Sequence, residues 1–233
     1  MILYYVRHAD PIYNPDSLTP LGLRQAEAAG RRLAQRGITR IFSSTSHRAV
    51  LTATPLSELT GKPIEELDWC HEKHAGETMT ATDPKTGGRT WCFNIEHYRR
   101  LFCSREVREL GLDWYRHEAF ADTAFAQGIQ QANECCDEFL LSLGYRHDRE
   151  AGIYLAENPT SDRIALFAHQ GYGFLFLSAL LDIPYPWLCT HTDITRSSIT
   201  AIEFNVRDGF VIPRMLSMSG DGHLYADRLP THV

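Results

Sequence analysis

The chain has 233 residues, of which 43% are hydrophobic and 22% charged, the composition of a globular protein with a packed core rather than a disordered one. With 23 Lys and Arg against 29 Asp and Glu, the formal charge is −6. No overall basic field recruits nucleic acid, so an anionic ligand needs locally concentrated positive charge.

Residues 2–6 are an apolar run that reads as a buried strand, too short for an export signal or a membrane span. Thr19 is placed as an N-cap, with Pro20 at the first helical position. Leu23, Ala26, Gly30, Leu33 and Ala34 then recur at helical spacing, and Gly37 is placed to stop the helix. Residues 38–42 read as a second strand and 46–59 as a second helix, bent at Pro55 and closed by Gly61.

From about 77 to 122 regular patterning lapses into Gly87-Gly88, scattered charges and aromatics. This stretch reads as a cap-like insertion over one end of the sheet, within a single domain spanning 1–233. Regularity returns in a long amphipathic helix carrying Phe125, Ile129, Ala132, Cys136, Phe139, Leu140 and Leu143, with Gly144 at its end. Residues 164–168 form another buried strand and 171–181 another helix. A terminal hairpin is expected from 199–206 and 210–218 around Asp208-Gly209, with Pro213 on an edge strand. The alternation predicts an α/β three-layer sandwich with a mostly parallel, doubly wound sheet, whose ligands sit at the carboxyl ends of the strands.

Arg-His occurs three times, at Arg7-His8, Arg116-His117 and Arg146-His147. Only the first leaves a buried strand for a turn-rich loop; the other two sit among charges and read as solvated surface. His169 likewise ends an apolar strand and precedes a helix.

The stretch Val6-Arg7-His8-Ala9-Asp10, with Asn14 and then residues 18–26, resembles the histidine phosphatase (phosphoglycerate-mutase-like) superfamily. So do residues 41–49 with Thr52-Ala53, Glu72-Lys73-His74-Ala75-Gly76, Phe167-Ala168-His169 and residues 197–200. The resemblance implies a metal-independent phosphatase acting on a phosphomonoester through a phosphohistidine on His8. Arg7, Arg48, His169, Asn14 and Gln170 are then the phosphate-binding residues, and Glu72 the acid/base, with Glu77 the competing carboxyl. The chemistry suits these side chains: a neutral imidazole attacks in line, and planar guanidiniums match phosphate oxygens. The reading asks His8 to be neutral and His169 charged. Ala9 and Gln170 depart from the family's usual glycine and small residue.

No cofactor or metal is expected. Cys70, His71, His74 and Cys92 lack the spacing of a zinc site. Arg89, Arg99, Arg100 and Arg105 alternate with Glu96, Glu106 and Glu109 and read as a mixed-charge surface. Free thiols and the missing export signal suggest a cytoplasmic protein acting on a small-molecule phosphate ester, with neither membrane nor nucleic-acid partner. Mutase-type phosphoryl transfer and an inactive phosphate-binding module are the alternatives, and the natural substrate and oligomeric state stay open.

Overall fold

In the computed structural model, which describes residues 1–231, the first apolar run is strand β1 (Ile2–Arg7). A short hairpin follows, β2 (Pro11–Tyr13) and β3 (Asp16–Leu18). Helix α1 (Pro20–Ala34) begins as expected, the Thr19 hydroxyl accepting the Gly22 N–H at 3.0 Å. Strand β4 (Arg40–Ser44) leads into α2 (His47–Thr60), which contains Pro55 and ends at Gly61 with φ 67°, where glycine carries no Cβ penalty. Next come β5 (Ile64–Leu67) and the short α3 (Glu72–Thr78).

The patternless stretch contains a hairpin, β6 (Thr80–Thr82) with β7 (Arg89–Trp91), and two short helices, α4 (Glu96–Phe102) and α5 (Arg105–Glu109). Its aromatics fold inward: Phe102 and Trp114 are buried with ring centroids 5.3 Å apart, and both meet Phe125, the first residue of α6 (Phe125–Ser142). Its arginines are spent locally, Arg99 on the Phe93 carbonyl, Arg100 on Glu96, Arg105 on Glu109 and Arg89 on Thr80.

A second hairpin, β8 (Tyr145–Asp148) and β9 (Ile153–Ala156), precedes β10 (Arg163–Ala168). Helices α7 (Gln170–Leu181) and α8 (Tyr185–His191) lead to β11 (Ile199–Glu203), β12 (Phe210–Val211), β13 (Arg214–Gly220) and α9 (Gly222–Ala226). The expected terminal hairpin is only half realised. Asp208 and Gly209 do turn with positive φ and β11 pairs with β13, but Phe210 and Val211 leave to pair with β9. Val211 is fully buried there, a burial that a continuous hairpin on the sheet edge would forgo.

The main sheet runs β13-β11-β1-β10-β4-β5. β1, β10, β4 and β5 are parallel, while β11 runs antiparallel to both its neighbours β1 and β13, so that β13 shares the direction of β1. Alternate residues of β1 enter opposite layers. Tyr4 and Val6 pack with Leu33, Ala53 and Leu56 of α1 and α2, whereas Leu3 and Tyr5 pack with Phe139 and Phe176 of α6 and α7. This is the anticipated three-layer α/β fold.

His147 corrects the surface reading of the third Arg-His pair. Its side chain has no exposure and lies between Asp137 and Asp182, 2.9 Å from each, with Arg149 bridging the same carboxylates. Burial opposes its charge, but the bonds to the two carboxylates prevail and raise its pKa. The network ties β8 to α6 and α7. Because the carboxylates are partly exposed, His147→Ala should cost about 2 kcal/mol rather than the full loss for a deeply buried pair. A histidine pKa raised by folding stabilises fully below its unfolded value and loses that contribution as pH rises through the folded value. Urea unfolding should therefore show the wild-type advantage over His147→Ala shrinking at alkaline pH; a constant gap would contradict a charged His147.

Candidate active site

The carboxyl ends of β1, β10 and β4 deliver His8, His169 and Arg48 to one place. The His8 N–H donates to the Ala168 carbonyl (2.9 Å), and the His8 carbonyl accepts from the Ser197 N–H (3.1 Å). The Ala9 N–H, one residue on, is held by the Thr52 hydroxyl at 3.0 Å. Ala9 itself is buried against Leu18 and Ala26, so its methyl is absorbed by the core. Across the site, the Tyr5 hydroxyl donates to the His169 carbonyl at 2.7 Å and accepts its N–H at 3.2 Å. Tyr5 is buried in the strand beside it, and nothing in the sequence marked it for this role.

The imidazoles of His8 and His169 meet edge to face with centroids 5.2 Å apart. His8 Nδ1 lies 2.8 Å from the Ala9 carbonyl, which can only accept, so Nδ1 carries the proton and Nε2 keeps its lone pair. Burial first, then Arg7, Arg48 and Arg196, push the His8 pKa down to about 3 against support from that carbonyl. His8 is a neutral imidazole with a free nucleophilic nitrogen. His169 Nδ1 faces Arg48 Nη2 at 3.1 Å, and its Nε2 reaches the Ser44 hydroxyl at 2.9 Å. Burial, with His8 and Arg48, holds His169 well below the usual histidine pKa too. The expectation of one neutral and one charged imidazole is thus corrected. Burial, with the nearby guanidiniums adding to it, disfavours the charged form of both imidazoles.

The two arginines share one arrangement. Arg7 Nη1 donates to the Ile194 carbonyl (2.6 Å), and Arg48 Nη1 to Asp16 Oδ1 (2.8 Å). In both, Nε is buried with no partner, and the third such buried side-chain atom among the described residues is the Ser198 hydroxyl. Orphaned buried polar groups are costly, and these three are available to hydrogen-bond a ligand. All three surround His8: Arg7 precedes it, Ser198 accepts the Arg7 N–H through its carbonyl, and Arg48 reaches His169.

Glu72 opens α3 and points to the start of α7, accepting the Tyr172 N–H at 3.1 Å; its Oε2 is 3.4 Å from His169 Nδ1. Burial raises its pKa to about 7, against the lowering by α7 backbone donors and both arginines. Glu77, the competing carboxyl, is exposed, whereas Glu72 is turned to the start of α7. Gly171 makes room for it: a Cβ there would fall 2.6 Å from Glu72 Oε1 and from the Trp91 ring. Asn14 stands at the exposed tip of the β2-β3 hairpin, and the Gln170 side chain is turned to Asp193, leaving only its N–H, first in α7, for a ligand.

Ligand atoms of His8, Glu72 and His169 lie within 4.8 Å of one another, near enough to share a cation, but the guanidiniums beside them favour an anion there. The Cys70, His71, His74 and Cys92 set does not converge. Cys92 meets Tyr185, His71 caps α3, and His74 pairs with Asp68.

The family model of the histidine phosphatase superfamily (branch 1) matches residues 3–95. Over residues 3–95, less than half of its 233, the chain is similar to this superfamily. A curated relative from Hydrogenobacter thermophilus named "Putative phosphoserine phosphatase 2" is 33% identical over 84 residues, covering 32% of this chain and 41% of that protein. The chain therefore aligns with about two fifths of that relative's length. Among solved structures, a phosphoserine phosphatase from Entamoeba histolytica superposes with a TM-score of 0.60 at 17% identity, covering 96% of this chain and 98% of that one. A mycobacterial glucosyl-3-phosphoglycerate phosphatase does so with a TM-score of 0.58 at 19% identity, covering 94% and 98%. At these identities the superpositions show a shared α/β fold over nearly the whole chain.

The Gly171 packing yields a test. Gly171→Ala should displace the Glu72 carboxyl and lower kcat/KM at least about tenfold, with His8 untouched. Steady-state kinetics beside a thermal melt separates this from unfolding, and a fully active, normally folded variant would show that Glu72 does not need this seat.

Proposed function

We propose that the protein is a phosphatase that hydrolyses a small phosphomonoester through a phosphohistidine on His8, without a metal. One observation carries this reading: a neutral His8 with Nε2 free, set among two guanidiniums whose buried Nε groups have no partner. Phosphoryl transfer needs little beyond an in-line nucleophile and positive charge around the equatorial oxygens. In the first step the His8 Nε2 lone pair attacks phosphorus, the bond to the ester oxygen breaks, and Glu72 gives that oxygen its proton. In the second, Glu72 takes a proton from water as the water oxygen bonds to phosphorus, and the N–P electron pair returns to His8. A carboxyl with a pKa near 7 is suited to both directions of transfer. The relatives bearing phosphoserine and phosphoglycerate-type phosphatase names agree with this class of substrate. The Glu72 side chain keeps 19% exposure, which supports access of water and favours hydrolysis over mutase transfer.

His8→Ala should abolish phosphate release from p-nitrophenyl phosphate; an active His8→Ala protein refutes the mechanism. Glu72→Gln should slow alkyl phosphate esters by about 10²- to 10⁴-fold and p-nitrophenyl phosphate less, since that leaving group needs no proton. For wild type, kcat/KM on an alkyl ester should fall as pH rises through about 7, because the raised pKa means the acid form is lost there, and Glu72→Gln should lack that fall. Retention of the same alkaline limb in the variant assigns it to another group.

A further inference from the structure

Resting on that phosphatase reading, we infer that Asp16 is the positioning residue for the phosphate-binding arginine Arg48. The Arg48 side chain is only 10% exposed, and its guanidinium is held at two nitrogens: Nη1 by Asp16 Oδ1 at 2.8 Å and Nη2 by His169 Nδ1 at 3.1 Å. Two anchors fix the plane of a rigid fork and leave the third nitrogen, Nε, bare in buried space. Arg7 is anchored by a main-chain carbonyl, which substitution cannot remove, whereas the anchor of Arg48 is a side chain on another element.

Asp16 is itself well seated. It starts β3, and its carbonyl accepts from His47 Nδ1 at 2.9 Å, tying the hairpin to the first residue of the helix that carries Arg48. The same hairpin lays the Tyr13 ring over the guanidinium carbon, 5.5 Å from the centroid. The β2-β3 hairpin thus straps Arg48 from the solvent side while His169 holds it from within. A carboxylate so close to an anion site carries a repulsive cost, which positioning must outweigh. Without Asp16 the guanidinium pivots on its single bond to His169, and the Nε edge no longer faces the phosphoryl oxygens.

The test compares Asp16→Ala, Asp16→Asn, Arg48→Ala and the Asp16→Ala/Arg48→Ala double variant. It reads kcat and KM for p-nitrophenyl phosphate, Ki for inorganic phosphate, and the melting temperature. Asp16→Ala should raise KM and phosphate Ki about tenfold, with a smaller change in kcat. Asp16→Asn, which keeps an oxygen acceptor, should recover most of that loss. In the Arg48→Ala background, Asp16→Ala should add less than about twofold, since both changes disable one group. Asp16→Ser, too short to reach Nη1, serves in place of Asp16→Ala if the latter does not fold. Unchanged Ki in Asp16→Ala, or an equal loss with Arg48 already gone, overturns the role of Asp16 and leaves the phosphatase reading standing. A wild type that neither binds phosphate nor releases it from the ester overturns the parent reading and this inference together.

Discussion

Two guanidiniums fixed by their outer nitrogens, with their inner Nε groups buried and bare, set the terms for everything around them. Burying positive charge is expensive even beside a carboxylate, and a fold tolerates it only where surrounding contacts enforce it. Here the enforcement comes from the Ile194 carbonyl, Asp16 and His169, on three different segments. Their joint effect is to hold both guanidiniums in one fixed arrangement beside His8 and His169. A chain of formal charge −6 thereby concentrates positive potential at one point instead of spreading it over the surface.

The scaffold supplies what that arrangement needs. β1 and β10 are parallel neighbours, paired to their last residues, Arg7 with Ala168, so the residues that follow, His8 and His169, emerge side by side. β4 ends beside them and hands the chain to α2, which places Arg48 within its first turn. The placement of these side chains therefore derives from strand register rather than from loop conformation. The aromatic core of the 77–122 stretch contributes at one edge, where Trp91 packs against Gly171 and Gly76 and closes the space behind Glu72.

The legible parts of the sequence were those governed by local periodicity. β1, α1, α6 and β10 are long apolar patterns, and Thr19-Pro20 and Gly61 are caps with a mechanism. His8 and His169 were visible because each follows a buried strand. The short elements β2, β3, β5, β8, β9 and α8 left no comparable signal, since pairing across the chain stabilises them rather than their own pattern. His147 shows the limit most clearly. Flanked by Arg146 and Asp148 it looked solvated, and only Asp137 and Asp182, ten and thirty-five residues away, bury it. Asp16 was invisible for the same reason: an acid in a turn is unremarkable until the arginine it holds is known.

The electrostatics of the site then follow from competition between burial and charge. Glu72 receives a helix N-terminus and two nearby arginines, each of which stabilises a carboxylate, yet its pKa moves from 4.5 up to about 7. That shift corresponds to roughly 3 kcal/mol, more than the ~0.3–1 kcal/mol a helix terminus typically offers a charge. Desolvation therefore sets the acid's strength, and the helix and arginines only moderate it. The same desolvation, acting on bases, drives both imidazoles to the neutral form. One physical cause thus prepares opposite partners: a carboxyl that still holds its proton near neutrality and a histidine that has already lost its own. Both lie beside the same pair of fixed cations, the arrangement on which the proposed phosphoryl transfer rests.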